Sequence, residues 1–448
     1  MAGQKLRLKC ADLFAGIGGI RLGFERAAGD GNIETVFVSE LDRFAATTYA
    51  NNFNTPTERI CGADNLLMDV QGATIYGDIT KVTDDLMSSI PQLDICLAGF
   101  PCQAFSLAGK KLGFEDDYKG MARGTLFREI IRLCDKQRPK VVFCENVKGL
   151  THHDGGRTYE VIKGAFEQAD YQVFSEVLNS KNFDVPQNRE RIYMVAIRKD
   201  LGITSFTFPT GKETEKRIKD ILEEDPVGSK YYLAEGYYKT LKSHRERHEK
   251  KGNGFGYQIK GPEDFASTLS CGGMGRERNL VIDSREHPTG LVPGKHSVLN
   301  AENVRFMTPR EWARLQGFDD SFELPVSDVH LYKQLGNTVT VNVIEAIAEK
   351  VLQSLQACYA RNNFSKVLEG KIIEELEKGP CTRGELEDRL DHLFLSSLPK
   401  DARLTKIGNR LQSLKAQGVV SMTGSRRSAV WHLTARRPDR PMSMPSQR

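Results

Sequence analysis

The segment from Arg7 to Gly19 constrains the fold more than any other stretch of the chain. Arg7-Leu-Lys-Cys-Ala-Asp-Leu-Phe14 predicts a buried strand, Ala15-Gly-Ile-Gly-Gly19 a glycine turn, and the residues through Arg26 a helix. Strand, glycine turn and helix in that order form the first unit of a doubly wound α/β sheet, where ligands bind beyond the carboxyl ends of parallel strands. The glycines fall as Gly16-x-Gly18-Gly19-x-x-x-Gly23, with Arg21 where a dinucleotide fingerprint carries its third glycine. A pyrophosphate reading is weakened by that departure. The turn still lets a ligand approach the backbone, and Asp12 beside it suits a ligand bearing an amino or sulfonium cation.

A second strand, Thr35–Ser39, ends in Glu40, placed to accept both hydroxyls of a ribose. A helix runs through Tyr49, and the polar residues from Asn51 to Thr74 read as an insertion. Ile75-Tyr-Gly-Asp78-Ile79 then offers a second acid at a strand end, where it could take an adenine amino group. The next strand runs from Leu93 to Gly99; Pro101 breaks its ladder and Cys102 emerges beyond it. Gln103 to Gly124, rich in glycine, lysine and small residues, suits a loop that closes over a site. After a helix over 125–134, Pro139–Cys144 predicts a fifth strand ending in Glu145-Asn-Val. In a parallel sheet Cys102 and Glu145 come out on one edge, a nucleophile and a carboxyl group at one switch point.

Composition narrows the class. At 448 residues two or three domains are expected, and no apolar run approaches the roughly 20 residues needed to span a bilayer. Met1–Cys10 is basic and lacks an apolar signal core, so the expected setting is cytoplasmic. The nine cysteines include no C-x-x-C pair, which suggests neither a disulfide framework nor a metal site. A net charge of +4 permits nucleic-acid binding without showing it.

Taken together, six ordered segments resemble the C5-cytosine DNA methyltransferases of bacterial restriction-modification systems. They are DLFAGIGGIRLGFE, GFPCQAFSLAG, ENVKGL, QNRERIYMVAIR from Gln187, RFMTPREWARLQGF from Arg305 and QLGNTVTVNVIEAIA from Gln334, covering about residues 7–355. The resemblance implies a doubly wound, Rossmann-like S-adenosylmethionine methyltransferase sheet. It implies that Cys102 adds to cytosine C6, that Glu145 bonds the ring N3 and exocyclic amine, and that one or both of Arg189 and Arg191, which alternation along the extended Q-x-R-x-R segment points the same way, hold the flipped base. By the same carry-over Phe14, Gly16, Gly18, Glu40, Asp78, Ile79, Pro101, Leu126 and Asn337 join Asp12 around S-adenosylmethionine. Gln103, Ser106, Lys110 and Lys111 would meet double-stranded DNA. Asn337-Thr338 reads as the opening of the last helix of this part.

Between Arg198 and Arg305 the catalytic pattern stops. Lys216–Glu224 predicts a helix, Lys242–Gly256 a polar, basic, glycine-punctuated stretch, and Gly256–Val281 short strands and loops. A small inserted target-recognition domain belongs here, with Arg276 and Arg278 reading guanine edges or holding phosphates. The expected boundaries are 1–200 and 301–355 for the catalytic domain, 201–300 for the recognition domain, 356–435 for a winged-helix-like extension and 436–448 for a disordered tail. From Gln356 to Arg448, 17 Lys and Arg stand against 10 Asp and Glu, an excess that fits DNA binding. The leading expectation is a monomeric, site-specific DNA cytosine-5 methyltransferase with a separately acting cognate endonuclease. A tRNA cytosine-5 methyltransferase and a DNA-binding regulator stay open as alternatives.

Overall fold

The computed structural model describes residues 7–29, 31–101, 117–118, 121–122, 126–254, 256–272, 274–285, 298–390, 399–425 and 429–434, with the backbone alone for 117–118, 121–122 and 400. The chain divides into two compact units, Met1–Ser354 and Leu355–Arg448.

The first unit is built on a six-stranded sheet: β1 (Leu8–Leu13), β2 (Ile33–Ser39), β3 (Ile95–Ala98), β4 (Val141–Val147), β5 (Tyr171–Asn179) and β6 (Glu190–Arg198). Their spatial order is β2-β1-β3-β4-β6-β5. β2, β1, β3 and β4 are mutually parallel, whereas β6 runs antiparallel to both β4 and β5. The sheet is therefore mixed. Its middle strands are buried on both faces, as the unbroken apolar runs Ile95–Ala98 and Val141–Cys144 require. Helices α1 (Gly19–Ala28), α2 (Arg43–Asn52), α3 (Asp84–Ser88), α4 (Phe127–Gln137) and α5 (Arg157–Gln168) supply the covers. On one face Cys96, Val142 and Met194 pack with Ile130 of α4 and Phe166 of α5. On the other, Phe143 meets Phe24 of α1 edge-on at 5.3 Å.

Several expectations shift. The Ile75 segment is not a strand of the sheet: Tyr76 makes only isolated bridges, to Ser39 and Leu67. The helix expected over 216–224 shrinks to a single turn, Ile218–Asp220. A helix forms instead at α6 (Glu235–Glu249), which buries Tyr238 and Leu241 three residues apart and carries the i,i+4 pairs Glu235–Lys239 and Arg245–Glu249, with Arg245 lying over the Tyr257 ring. Two small sheets flank α6 in sequence: Ile259–Lys260 with Leu280–Ile282 and Val304–Phe306, and Gln187–Asn188 with Ala266–Ser267. Arg305, fully buried, ion-pairs Asp283 at 2.9 Å and Glu311 at 2.8 Å, which ties these strands to α7 (Pro309–Leu315). α7 opens on a capping box, Thr308 and Glu311 each accepting the other's backbone amide, with Pro309 at the first helical position. Asn337 closes α8 (Asp328–Asn337) rather than opening α9 (Val341–Glu377), because Thr338 turns the chain into extended backbone.

The second unit contains the end of α9, strand Cys381–Thr382, α10 (Arg383–Leu390), α11 (Lys400–Ala416) and strands Val420–Thr423 and Val430–Leu433. In this unit α9 runs on to Glu377. Val430–Leu433 lies between the other two strands and is antiparallel to both. Ile372, Leu386, Leu411, Leu414 and Trp431 fill the core. The expected tail, 436–448, lies outside the described residues. Among the described residues no helix is long and apolar enough to cross a membrane.

Candidate active site

Strand register brings the candidate residues to one level. Leu13 pairs with both Ser39 and Ala98, and Ala98 pairs with Cys144. Phe14, Glu40 and Gly99, which follow three of these, leave the sheet at the level where Glu145, still in β4 and paired with Tyr193 of β6, runs on past the ends of β1 and β3. Antiparallel β6 delivers Arg191 there too, opposite Val147.

Glu145 and Arg191 form an ion pair, Nε to Oε1, at 3.2 Å, with side chains 11% and 13% exposed. Burial raises the Glu145 pKa above the ordinary range, and Arg191 and then Arg189 oppose that shift. The two arginines, which alternation points the same way, are not equivalent. Arg189 is buried and donates from Nη1 to the Leu269 carbonyl at 2.8 Å and from Nη2 to the Thr338 carbonyl at 2.7 Å. Its guanidinium is committed to joining the 198–305 region to the α8–α9 junction. Asn146, beside Glu145, donates to the Phe100 carbonyl at 3.3 Å and so fixes the chain that leads into Pro101, which is half-buried. Cys102, Gln103, Ser106, Lys110 and Lys111 lie outside the described residues. Within the expected closing loop, Asp117–Tyr118 pairs with Met121–Ala122.

The other side of the edge is a cradle. Phe14, Gly16 and Gly18 all have positive φ, at 55°, 57° and 85°. A Cβ on Gly16 would meet nothing within 4 Å, so its glycine serves the backbone conformation and leaves open space above the turn. Glu40 accepts the Gly16 amide at 2.7 Å and the Asp42 amide at 2.7 Å, which holds its carboxylate against the turn. Asp78 caps a short helical turn through Thr80, and the Tyr76 carbonyl accepts the Glu40 amide, which ties the segment leading to Asp78 to the end of β2. Ile79 is buried beneath them, and Leu126 caps α4 half-buried. Thr338 and Val339 pack on Gly19, so the exposed Asn337 precedes a segment that touches the turn. Asp12 is a correction. It is 1% exposed and accepts the Tyr49 hydroxyl at 3.2 Å, and Arg21 in turn donates to that hydroxyl at 3.0 Å. Burial pushes its pKa up to about 7, so Asp12 is an internal polar anchor rather than a partner for a ligand cation.

Sequence reasoning missed three contributors. Leu41 stands 56% exposed next to Glu40, an apolar surface beside two acids. Asn146 and Gln187 lie inside two of the six ordered segments, yet their partners are distant in sequence. Gln187 is fully buried; it donates to the Leu315 carbonyl at 2.9 Å and accepts the Leu269 amide at 3.0 Å. In the 198–305 region Arg276 is exposed, with its guanidinium 4.9 Å from the Phe306 ring centre and 5.2 Å from that of Tyr332. Arg278 is half-buried, in the turn Glu277–Asn279.

The family model of the C-5 cytosine-specific DNA methylases matches residues 8–353. The chain belongs to this family. It is a DNA cytosine-5-methyltransferase whose methyl donor is S-adenosylmethionine. Type II methyltransferase M.HpaII of Haemophilus parainfluenzae is 46% identical over 354 residues, spanning 78% of this chain and 90% of that protein. M.HhaI of Haemophilus parahaemolyticus is 36% identical over 79% of this chain and 96% of its own length. Among solved structures, the Dnmt2 methyltransferase of S. pombe shares the fold at a TM-score of 0.55 and 19% identity, covering 78% of this chain and 99% of that one. The methylase match ends where the second unit begins.

The cradle fits the methyl donor of the methylases. Open space over Gly16, the Glu40 carboxylate held against the turn, the acid Asp78 at the next chain segment and the exposed apolar Leu41 match a nucleoside with ribose hydroxyls and a base face.

Proposed function

We propose that the chain methylates C5 of a cytosine within one short duplex sequence, as the modification enzyme of a restriction-modification system, with Cys102, Glu145 and Arg191 carrying the chemistry. The observation that carries the reading is the shared edge on which the Glu145–Arg191 pair and the Gly16–Glu40 cradle meet. The Type II relatives support the sequence-specific, restriction-linked setting. S-adenosylmethionine, when bound, supplies a methyl group on sulfonium sulfur, and Glu40, Asp78, Ile79, Leu41 and the Phe14–Gly18 turn hold it. Pro101, Leu126 and Asn337 complete that pocket.

Cytosine C5 is a weak nucleophile. The Cys102 thiolate adds to C6 and makes C5 electron-rich; once C5 has gained the methyl group and lost its proton, the thiolate leaves. Glu145 stabilises the ring by bonding N3, and its raised pKa keeps a proton available there as the thiolate adds. Arg191 holds the Glu145 carboxyl and presents guanidinium donors to the base. A cytosine stacked in duplex DNA cannot reach this edge, so the nucleotide is extruded, at a cost of a few kcal/mol. Gln103, Ser106, Lys110 and Lys111 meet the DNA as it is opened.

The domain reading is a catalytic domain of 1–200 and 301–355, a recognition domain of 201–300 with Arg276 and Arg278 at the DNA, and a winged-helix-like extension of 356–435. The helix–strand–helix–helix–hairpin order of the extension supports the last of these. A separate endonuclease of the same sequence specificity and a cytoplasmic, monomeric enzyme complete the reading.

Cys102→Ser tests the chemistry. Expected are loss of turnover and of covalent trapping on 5-fluorocytosine DNA, with S-adenosylmethionine binding retained by calorimetry; a variant that kept most of its turnover would overturn the mechanism. Bisulfite sequencing of DNA from cells expressing the chain should place every methylated cytosine in one short motif. Methylation of tRNA in preference to duplex DNA would transfer the reading to the tRNA enzymes.

A further inference from the structure

The second unit lies beyond the methylase match, and its charges are sorted by face. Four of its eight described acids are spent on internal ion pairs. Glu369 meets Arg410 at 3.6 Å, buried Glu387 meets Arg403 at 3.1 Å, Glu374 meets Lys371 at 2.7 Å, and Glu375 takes Lys378 and Arg389. Helix α11 buries Ile407, Leu411 and Leu414. The opposite side exposes Thr405, Asn409, Gln412 and Ala416, which a period of 3.6 puts on one line. Lys406 and Lys415, both exposed, fall on the two flanks of that line. A third cation reaches the helix from α10: Arg383, also exposed, lies across Gly408, with Nη1 3.1 Å from where a Cβ would stand. Glycine at 408 is what lets the guanidinium lie so near the helix. One carboxylate, Asp401, is exposed in the first turn of α11.

A solvated helix face needs no such arrangement. Amide side chains in a row, with no apolar residue larger than alanine and with cations on both flanks, match what a duplex major groove presents: base edges in the middle and phosphates on either side. The excess of Lys and Arg past Gln356, 17 against 10, has the sign that duplex needs, and the hairpin connection adds Arg426 and Arg427 in sequence. We propose that the second unit is a second DNA-reading head, in which α11 enters the major groove of duplex DNA outside the methylation sequence. Asn409 and Gln412 each read an adenine by its N6 and N7, while Lys406, Lys415 and Arg383 hold the flanking phosphates. The inference rests on the winged-helix-like reading of the extension and not on the chemistry at Glu145.

The test uses full-length enzyme. Selection from a randomised duplex pool should enrich two elements with the unaltered chain, the methylation sequence and a second, adenine-containing one. Asn409→Ala/Gln412→Ala should enrich the first alone and lose about tenfold in affinity for a duplex carrying both. Lys406→Glu/Lys415→Glu should weaken binding to that duplex whatever the second sequence, and lower the slope of log K against log salt by about one for each phosphate left unneutralised. Methylation of a short duplex that carries the methylation sequence alone should be unchanged in kcat/KM for both variants; it reports on the methyltransferase reading separately. Enrichment of one and the same element by unaltered and Asn409→Ala/Gln412→Ala proteins, or equal affinities on the long duplex, overturns the proposal. So does tighter binding of duplex RNA than of duplex DNA.

Discussion

Glu145 is held between burial, which favours its neutral form, and two arginines, which favour its anion. Burial is the larger influence, so the carboxyl keeps its proton to higher pH than a free glutamate does. The sign for activity follows. A step that uses this proton is fast while Glu145 is protonated and slows as pH rises through its folded pKa. Single-turnover methyl transfer should therefore show an alkaline decline that begins above the ordinary glutamate range. Glu145→Gln should lower the rate by about 10²–10⁴-fold and abolish that decline, since the amide has no proton to lose in this range. Rates measured across pH for the two proteins check both halves, and a decline that survived in Glu145→Gln would place the titrating group elsewhere. Arg191 takes part through its ion pair with Glu145, whereas Arg189 acts at one remove, through carbonyls of Leu269 and Thr338. Alternation along an extended segment placed both arginines on one side; it could not say that one would find carbonyl partners in another part of the chain.

At the scale of elements, the packing of α1 against α9 is set by Gly23. A Cβ there would stand 2.6 Å from Cβ and Cγ2 of Ile344 and 2.9 Å from the Glu345 amide nitrogen, with backbone among the obstacles. Gly23→Ala gains up to about 1 kcal/mol in helix propensity and loses about 1–3 kcal/mol to overpacking, so a net loss is expected. Ile344→Ala removes the obstructing Cγ2 and should recover part of that loss, a coupling that urea titrations of the single and double variants would measure. The spacing Gly16-x-Gly18-Gly19-x-x-x-Gly23 was visible in sequence because strand, turn and helix are local. The reversed direction of β6 was not, because Gln187–Arg198 has the same apolar pattern whichever way it pairs. Nor was α6, whose first turn, from Glu235 to Tyr238, lies before the polar, basic stretch that begins at Lys242. The hub at Gln187 depends on carbonyls and amides near residues 269 and 315, which no local pattern announces.

For the whole molecule, each of the two units carries one of the chain's two tryptophans. Trp312 packs edge-on to Tyr332 at 5.0 Å in the first unit, and Trp431 is buried in the core of the second. Each reports on its own surroundings. In Trp312→Phe the surviving fluorescence comes from an unaltered second unit; in Trp431→Phe it comes from an unaltered first unit. The second unit holds about a fifth of the residues, and the denaturant slope scales with surface exposed on unfolding. If its core of Ile372, Leu386, Leu411 and Trp431 is self-sufficient, the Trp431 signal should change over a broader urea transition with the smaller slope, at a midpoint of its own. The Trp312 signal should follow a steeper curve. Superimposable transitions for the two variants would mean that the units unfold as one cooperative body. Separate transitions carry a functional consequence: a module that melts alone can be lost or weakened by mutation while the sheet edge at Glu145 stays intact. Its effect on DNA binding is then measurable with methyl transfer as an internal control.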